Sequence, residues 1–241
     1  MPEVKLNVML VEHTPDPEKL VALAAKMCYS KLSVGELKNK VSAKDQKDFI
    51  KKIMEMQHFT PIEHVSFTFG VEGVSRALLA QITRHRIATF CVKSQRYVDE
   101  RSNDGKASFN FIIPPSIKKL GKKYVKIYEE QLQTIQGFYD FWFDALDKNP
   151  ETKDFRNEDS RFVLPNAAET KFVFTMNARE LLHFFRLRLC ARAQWEIRTL
   201  AAKMYYEVKK AAPTLFAYAG PACKFGECKE GTLKCKKDRI L

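Results

Sequence analysis

Residues 84–97 read Arg84-His85-Arg86-Ile87-Ala88-Thr89-Phe90-Cys91-Val92-Lys93-Ser94-Gln95-Arg96-Tyr97. Two arginines flank a histidine, and a serine, a further arginine and a tyrosine follow after a seven-residue gap. Guanidinium forks bind phosphate oxygens in pairs and stack on flat rings. The cluster therefore suits a ligand that is anionic at one end and aromatic at the other, as a nucleotide is. The sequence holds no G-x-G-x-x-G and no Walker loop. A dinucleotide would not be gripped by a glycine-rich turn at a helix N-terminus, so side-chain cations must hold it, and the doubly wound parallel fold loses its usual signature.

Working outward from this stretch, Val65, Phe67, Phe69 and Val71 alternate with polar residues as a strand does. Gly73 is expected to end that strand, and Ser75 to cap a helix running to about Arg86. Upstream, residues 5–11 read as a strand and 17–28 and 45–57 as helices, from the spacing of Leu20, Leu23 and Met27 and of Phe49, Ile53 and Met56. Downstream, 108–113 reads as extended and is stopped by Pro114-Pro115. A long amphipathic helix is expected over 116–147, bent or interrupted at Gly121 and Gly137. Residues 171–176 read as a strand and 178–210 as helical with a break. Helices and strands do not alternate regularly, so the class is α+β (irregular α/β), with a mixed or antiparallel sheet and long helices. One domain over 1–220 and a basic, cysteine-containing tail over 221–241 are expected.

Composition sets limits. The 241 residues suffice for one substantial core, and 45% are hydrophobic. The net charge of +12 favours anionic partners, which admits both nucleic acid and phosphorylated small molecules. No signal peptide and no apolar run near the ~20 residues of a membrane span are visible, so a cytoplasmic protein with six reduced cysteines is expected. Cys223, Cys228 and Cys235 are irregularly spaced for zinc, and no metal is assigned.

Four more constellations stand out. In His58-Phe-Thr60-Pro-Ile-Glu63-His64, Thr60 and Glu63 fit a capping box with Pro61 in the first turn. Gln81 and Arg84 are three apart on the expected helix and so share a face. Arg161 precedes a Leu164-Pro165 turn and could simply pair with Glu158. From Asn177 to Arg198, Arg179 and His183 share one helix face and Arg188, Arg192 and Glu196 another, while Leu182, Phe185, Leu189 and Trp195 fit the core side.

Together these motifs resemble the flavin-dependent thymidylate synthases. The signature RHR, seven residues, S-x-R-Y is matched by Arg84, His85, Arg86, Ser94, Arg96 and Tyr97. Thr89 stands where serine is typical, keeping a hydroxyl, and Cys91 where asparagine is common, removing an amide. The family's H-x-T-x-x-E-H, Q-x-x-R, R-x-x-L-P and N-A-R segments match in order between Cys28 and Arg198. The resemblance implies FAD reduced by NADPH, with 5,10-methylenetetrahydrofolate giving a carbon to C5 of dUMP. It places Gln81, Arg84, Ser94, Gln95, Arg96, Arg161 and Arg188 on dUMP, with Arg188, Ser94 and Arg84 as the catalytic set. It places His58, Thr60, Glu63, Arg84, His85, Arg86, Asn177, Arg179, His183 and Arg192 on FAD. Arg192 stands where some relatives have histidine. A hydroxyl nucleophile needs an activating base. None lies near Ser94 in sequence, so Ser94 is expected to bind the nucleotide. A homotetramer with sites shared between subunits is also implied, with no nucleic-acid or membrane partner. The rival readings are a basic nucleic-acid-binding module, a flavin-free nucleotide enzyme and an oligomerising scaffold. None of the common nucleic-acid motifs is present.

Overall fold

A computed structural model describes residues 3–102, 109–228 and 230–235. These residues form two compact units, one from those within 1–7, 71–82 and 91–172, the other from those within 8–70, 83–90 and 173–241. Four strands, β1 (Asn7–His13), β2 (Ser66–Ser75), β3 (Ala88–Val92) and β4 (Glu169–Asn177), make an open antiparallel sheet in the order β1-β2-β4-β3. Burial alternates along β4 and most of β2, as half-covered strands require. The α+β class follows directly.

In the second unit, α1 (Pro17–Met27) packs on α2 (Val34–Ser42) and α3 (Lys47–Glu55), while α8 (Ala178–Arg188) packs on α9 (Trp195–Ala211). Phe67, Phe185 and Phe216 are fully buried and meet edge to face. Each ring removes a large apolar area from water, and the edge-to-face geometry adds about 0.5–1.5 kcal/mol per pair. Glu18 accepts the Thr214 and Leu215 N–H groups at 2.6 and 3.0 Å, which ties the chain beyond α9 to α1. The helix α2 was not expected. Its start is nevertheless written in the sequence: Ser33 and Glu36 form a complete capping box.

In the first unit, α6 (Lys122–Lys148) buries Leu132, Gln136, Tyr139 and Phe143. Leu132 joins Phe109, Phe111, Ile113 and Ala168 in one apolar cluster. Gln136 is buried without penalty because it accepts the Phe109 N–H and donates to the Glu100 carbonyl and Asp140. The expected long helix is two: α5 (Pro115–Lys119) stops before Gly121, whose φ of 102° suits glycine, and α6 then runs through Gly137 unbroken. On its outer side Phe138, Phe141 and Trp142 are exposed by 55, 63 and 50%.

Several boundaries move. β2 does not end at Gly73 but passes through it to Ser75. Gly73 adopts φ 66°, and its N–H donates to Glu169 at 2.9 Å, so the strand kinks rather than stops. Ser75 does accept the Leu78 N–H, but its helix, α4 (Arg76–Ile82), is short and leaves 83–86 outside it. Of the expected 108–113 segment, Ser108 lies outside the described residues. Phe111 makes isolated bridges to Glu3 and Ala168. Among the described residues no helix is long and apolar enough to cross a membrane.

Candidate functional site

In the second unit the turn after α4 carries Arg84, His85 and Arg86. The two arginines are exposed and the histidine is buried. His85 packs edge-on against Phe184 at 5.0 Å. Its Nδ1 faces Glu180 Oε1 at 3.2 Å, and its Nε2 accepts the Arg188 Nε–H at 3.1 Å. Glu180 and Arg188 sit near opposite ends of α8. Asn177 begins that helix, its Oδ1 accepting the Glu180 N–H at 2.9 Å. Burial, then the charge of Arg84, hold the Arg188 guanidinium below its usual range. It remains a cation at neutral pH.

Burial also holds the His85 imidazole below the ordinary histidine value. The Glu180 hydrogen bond opposes this, while the Arg188 and His183 charges reinforce it. The folded chain therefore gives up this proton more readily than the unfolded chain, whose histidine titrates near about 6.5. The corresponding stability is complete above that value and is lost as pH falls through it towards the lowered folded one. Denaturant unfolding between about pH 8 and pH 5.5 should show this acid-side loss in the wild type and a smaller one in His85→Gln. Equal losses in both would refute the assignment.

A cleft of about 500 Å³ lies in the same unit, walled by Phe59, Tyr218 and Phe225 and edged by Arg179, His183 and Arg186. Exposed His58 and Thr60 flank Phe59 in sequence, and the exposed Glu63 carboxylate pairs with Arg179. Aromatic walls with cations at the rim suit a flat, phosphorylated ring system. Flavin fits this donor set. Tyr218, Phe225 and Arg186 were not anticipated. The first two belong to a segment without periodicity, and Arg186 was visible only as one of several arginines on a helix.

In the first unit Ser94–Val98 forms a turn in which Ser94 Oγ accepts the Arg96 N–H at 3.2 Å and the Ser94 carbonyl accepts the Val98 N–H at 3.0 Å. This hydroxyl shapes the loop that presents Arg96. Arg96 Nε donates to Glu158 at 2.5 Å, its carbonyl accepts from Asn157, and Arg161 Nε donates to the Glu158 carbonyl at 3.0 Å. Gln95 is buried, and its Nε2 finds no protein partner. Arg76, unremarked in the sequence, is held below its usual range by burial and then by Arg161. Gln81 lies on α4, half-buried.

Four local expectations are corrected. Thr60–His64 is a 3-10 helix with Phe59 at its N-cap and no side-chain cap, so Thr60 and Glu63 form no capping box. Arg84 lies beyond α4, so it does not share a helix face with Gln81. Arg161 meets the Glu158 carbonyl, while the carboxylate goes to Arg96. The break at 189–194 puts Arg188, Arg192 and Glu196 on different elements. Arg192 pairs with Glu230, and Glu196 is buried.

His85, Glu180 and His183 offer donor atoms within 4.8 Å of one another. Since Arg188 occupies one side of the His85 ring and Glu180 the other, hydrogen bonding accounts for this group. The six cysteines are free, and none joins a cluster of metal donors among the described residues.

Residues 9–214 match the family model of the thymidylate synthase complementing protein, which sets the class. The chain is 49% identical over 232 residues to a flavin-dependent thymidylate synthase of Geobacter sulfurreducens, covering 96% of this chain and 94% of that protein. It is 47% identical to that of Clostridium tetani with the same coverages, and 39% identical to that of Pyrococcus furiosus over 95% and 91%. The chain belongs to the flavin-dependent thymidylate synthase family and is an enzyme with a flavin cofactor.

Proposed function

We propose that this enzyme converts dUMP to dTMP in the cytoplasm, taking a one-carbon unit from 5,10-methylenetetrahydrofolate and electrons from NADPH, with FAD as the flavin. When bound, FAD supplies the two-electron redox chemistry that no side chain can. The chain's own residues orient and stabilise charge. Gln81, Arg84, Ser94, Gln95, Arg96, Arg161 and Arg188 hold dUMP. Among them Arg84 and Arg96 offset negative charge developing on the pyrimidine, and Arg188 grips the phosphate. His58, Thr60, Glu63, Arg84, His85, Arg86, Asn177, Arg179, His183 and Arg192 hold FAD.

The observation that carries the reading is the aromatic cleft edged by Arg179, His183 and Arg186, on the helix that also bears Arg188. The chain assembles as a homotetramer; the bare Phe138, Phe141 and Trp142 strip on α6 supports self-association of some order, since it is apolar enough to want covering. Among the described residues the nucleic-acid reading has no comparable feature. Purified protein loaded with FAD should be yellow, its spectrum should change on adding dUMP, and it should release tritium from C5-labelled dUMP under anaerobic assay with the folate and NADPH. A protein that takes up no FAD yet shifts DNA or RNA at moderate salt would overturn the proposal.

A further inference from the structure

Glu180 is buried, with 7% of its surface exposed, in the first turn of α8. An acidic residue there is ordinarily explained by the helix dipole. Its carboxylate instead faces Nδ1 of His85, itself only 5% exposed and fixed against Phe184. The protons follow from donor chemistry alone. An arginine Nε–H can only donate, so His85 Nε2 must carry the lone pair. The neutral ring then has its hydrogen on Nδ1, which donates to Glu180. Every link runs in one direction: Arg188 to His85 to Glu180. With Nε so committed, the guanidinium plane is set, and its two terminal nitrogens form the free end of the fork.

We propose that Glu180 is a positioning residue: through His85 it fixes the direction in which Arg188 presents its guanidinium to the anionic nucleotide. This rests on the reading of Arg188 as a dUMP contact. Without an acceptor at position 180 the ring is free to move its hydrogen to Nε2. That nitrogen would then meet the Arg188 Nε–H donor to donor, and the arginine would turn away. Glutamine keeps a carbonyl oxygen that can accept from Nδ1–H, so Glu180→Gln preserves the ring's tautomer and Glu180→Ala does not.

The test combines nitrogen NMR of the imidazole at about pH 8 with calorimetric dUMP binding to the FAD-loaded protein, in wild type, Glu180→Ala, Glu180→Gln and Arg188→Ala. His85→Gln identifies the ring signals. Wild type should show the Nδ1–H form. Glu180→Ala should shift towards Nε2–H and bind dUMP about tenfold more weakly, as removal of an orienting partner does. Glu180→Gln should retain the wild-type ring pattern and an affinity within about threefold. The tautomer and the affinity must change together. An Nε2–H ring in the wild type, wild-type affinity in Glu180→Ala, lost affinity with an unchanged ring, or equal damage from Glu180→Gln each overturns the proposal. Unchanged dUMP affinity in Arg188→Ala is a separate failure: it removes the substrate reading itself, while the nitrogen signals still decide the His85 geometry.

Discussion

Arg188→Ala is expected to bind dUMP at least about 100-fold more weakly, with a corresponding fall in kcat/KM. Removing one member of a desolvated, hydrogen-bonded charge pair costs about 2–5 kcal/mol, or roughly 30- to 5000-fold in affinity. The upper part of that range is reasonable here because Arg188 is half-buried and held by His85, so little ordering remains to be done on binding. Arg188→Lys should not restore binding, since lysine has neither an Nε–H that can be spent on His85 nor a planar fork. Titration calorimetry of dUMP against both variants checks this. An affinity within about threefold of wild type for the alanine protein would remove Arg188 from the site.

Gly73→Ala should lower the unfolding temperature by roughly 6–12 °C. Gly73 has φ 66°, which costs an L-residue about 1–2 kcal/mol. A Cβ there would also strike the backbone carbonyl of Lys5 and approach Leu6 N to 3.1 Å. Neither atom is the end of a flexible side chain. A total near or above about 3 kcal/mol is therefore expected, and each kcal/mol moves the midpoint by about 2–4 °C at this size. The neighbouring contacts tighten the constraint, because Gly73 N–H donates to Glu169, which also accepts from Asn110. A change below about 2 °C in thermal unfolding followed by circular dichroism would show that the kink relaxes.

The elements legible in sequence were those whose periodicity and punctuation agreed. α1 begins at Pro17 and ends close to Cys28, and β4 contains the expected 171–176 strand. The misses have local causes. Gly73 looked like a terminator because glycine is depleted in strands, yet a carboxylate from β4 satisfies its N–H and lets β2 continue. β3 lies inside the arginine signature, whose charged ends mask its short apolar run. Its burial does alternate, but only between exposed and half-buried, so the apolar signal is weak. The apparent box at Thr60 failed because the short helix starts with Phe59, not Thr60, at its N-cap, and Glu63 pairs with Arg179, 116 residues away, a partner that sequence spacing does not show. The signature residues themselves were readable. That His85 would be buried between Glu180 and Arg188 was not, because it depends on the turn after α4 meeting α8.

The arginines have one more effect. Arg84 bears on Arg188, and Arg76 on Arg161, as like charges. Holding such pairs together carries a Coulombic strain that an anion seated between the guanidinium forks can relieve. Ordinary ion-pair proteins weaken as electrolyte is added, whereas these two clusters should loosen most in nearly pure water and settle as sulfate or inorganic phosphate is supplied.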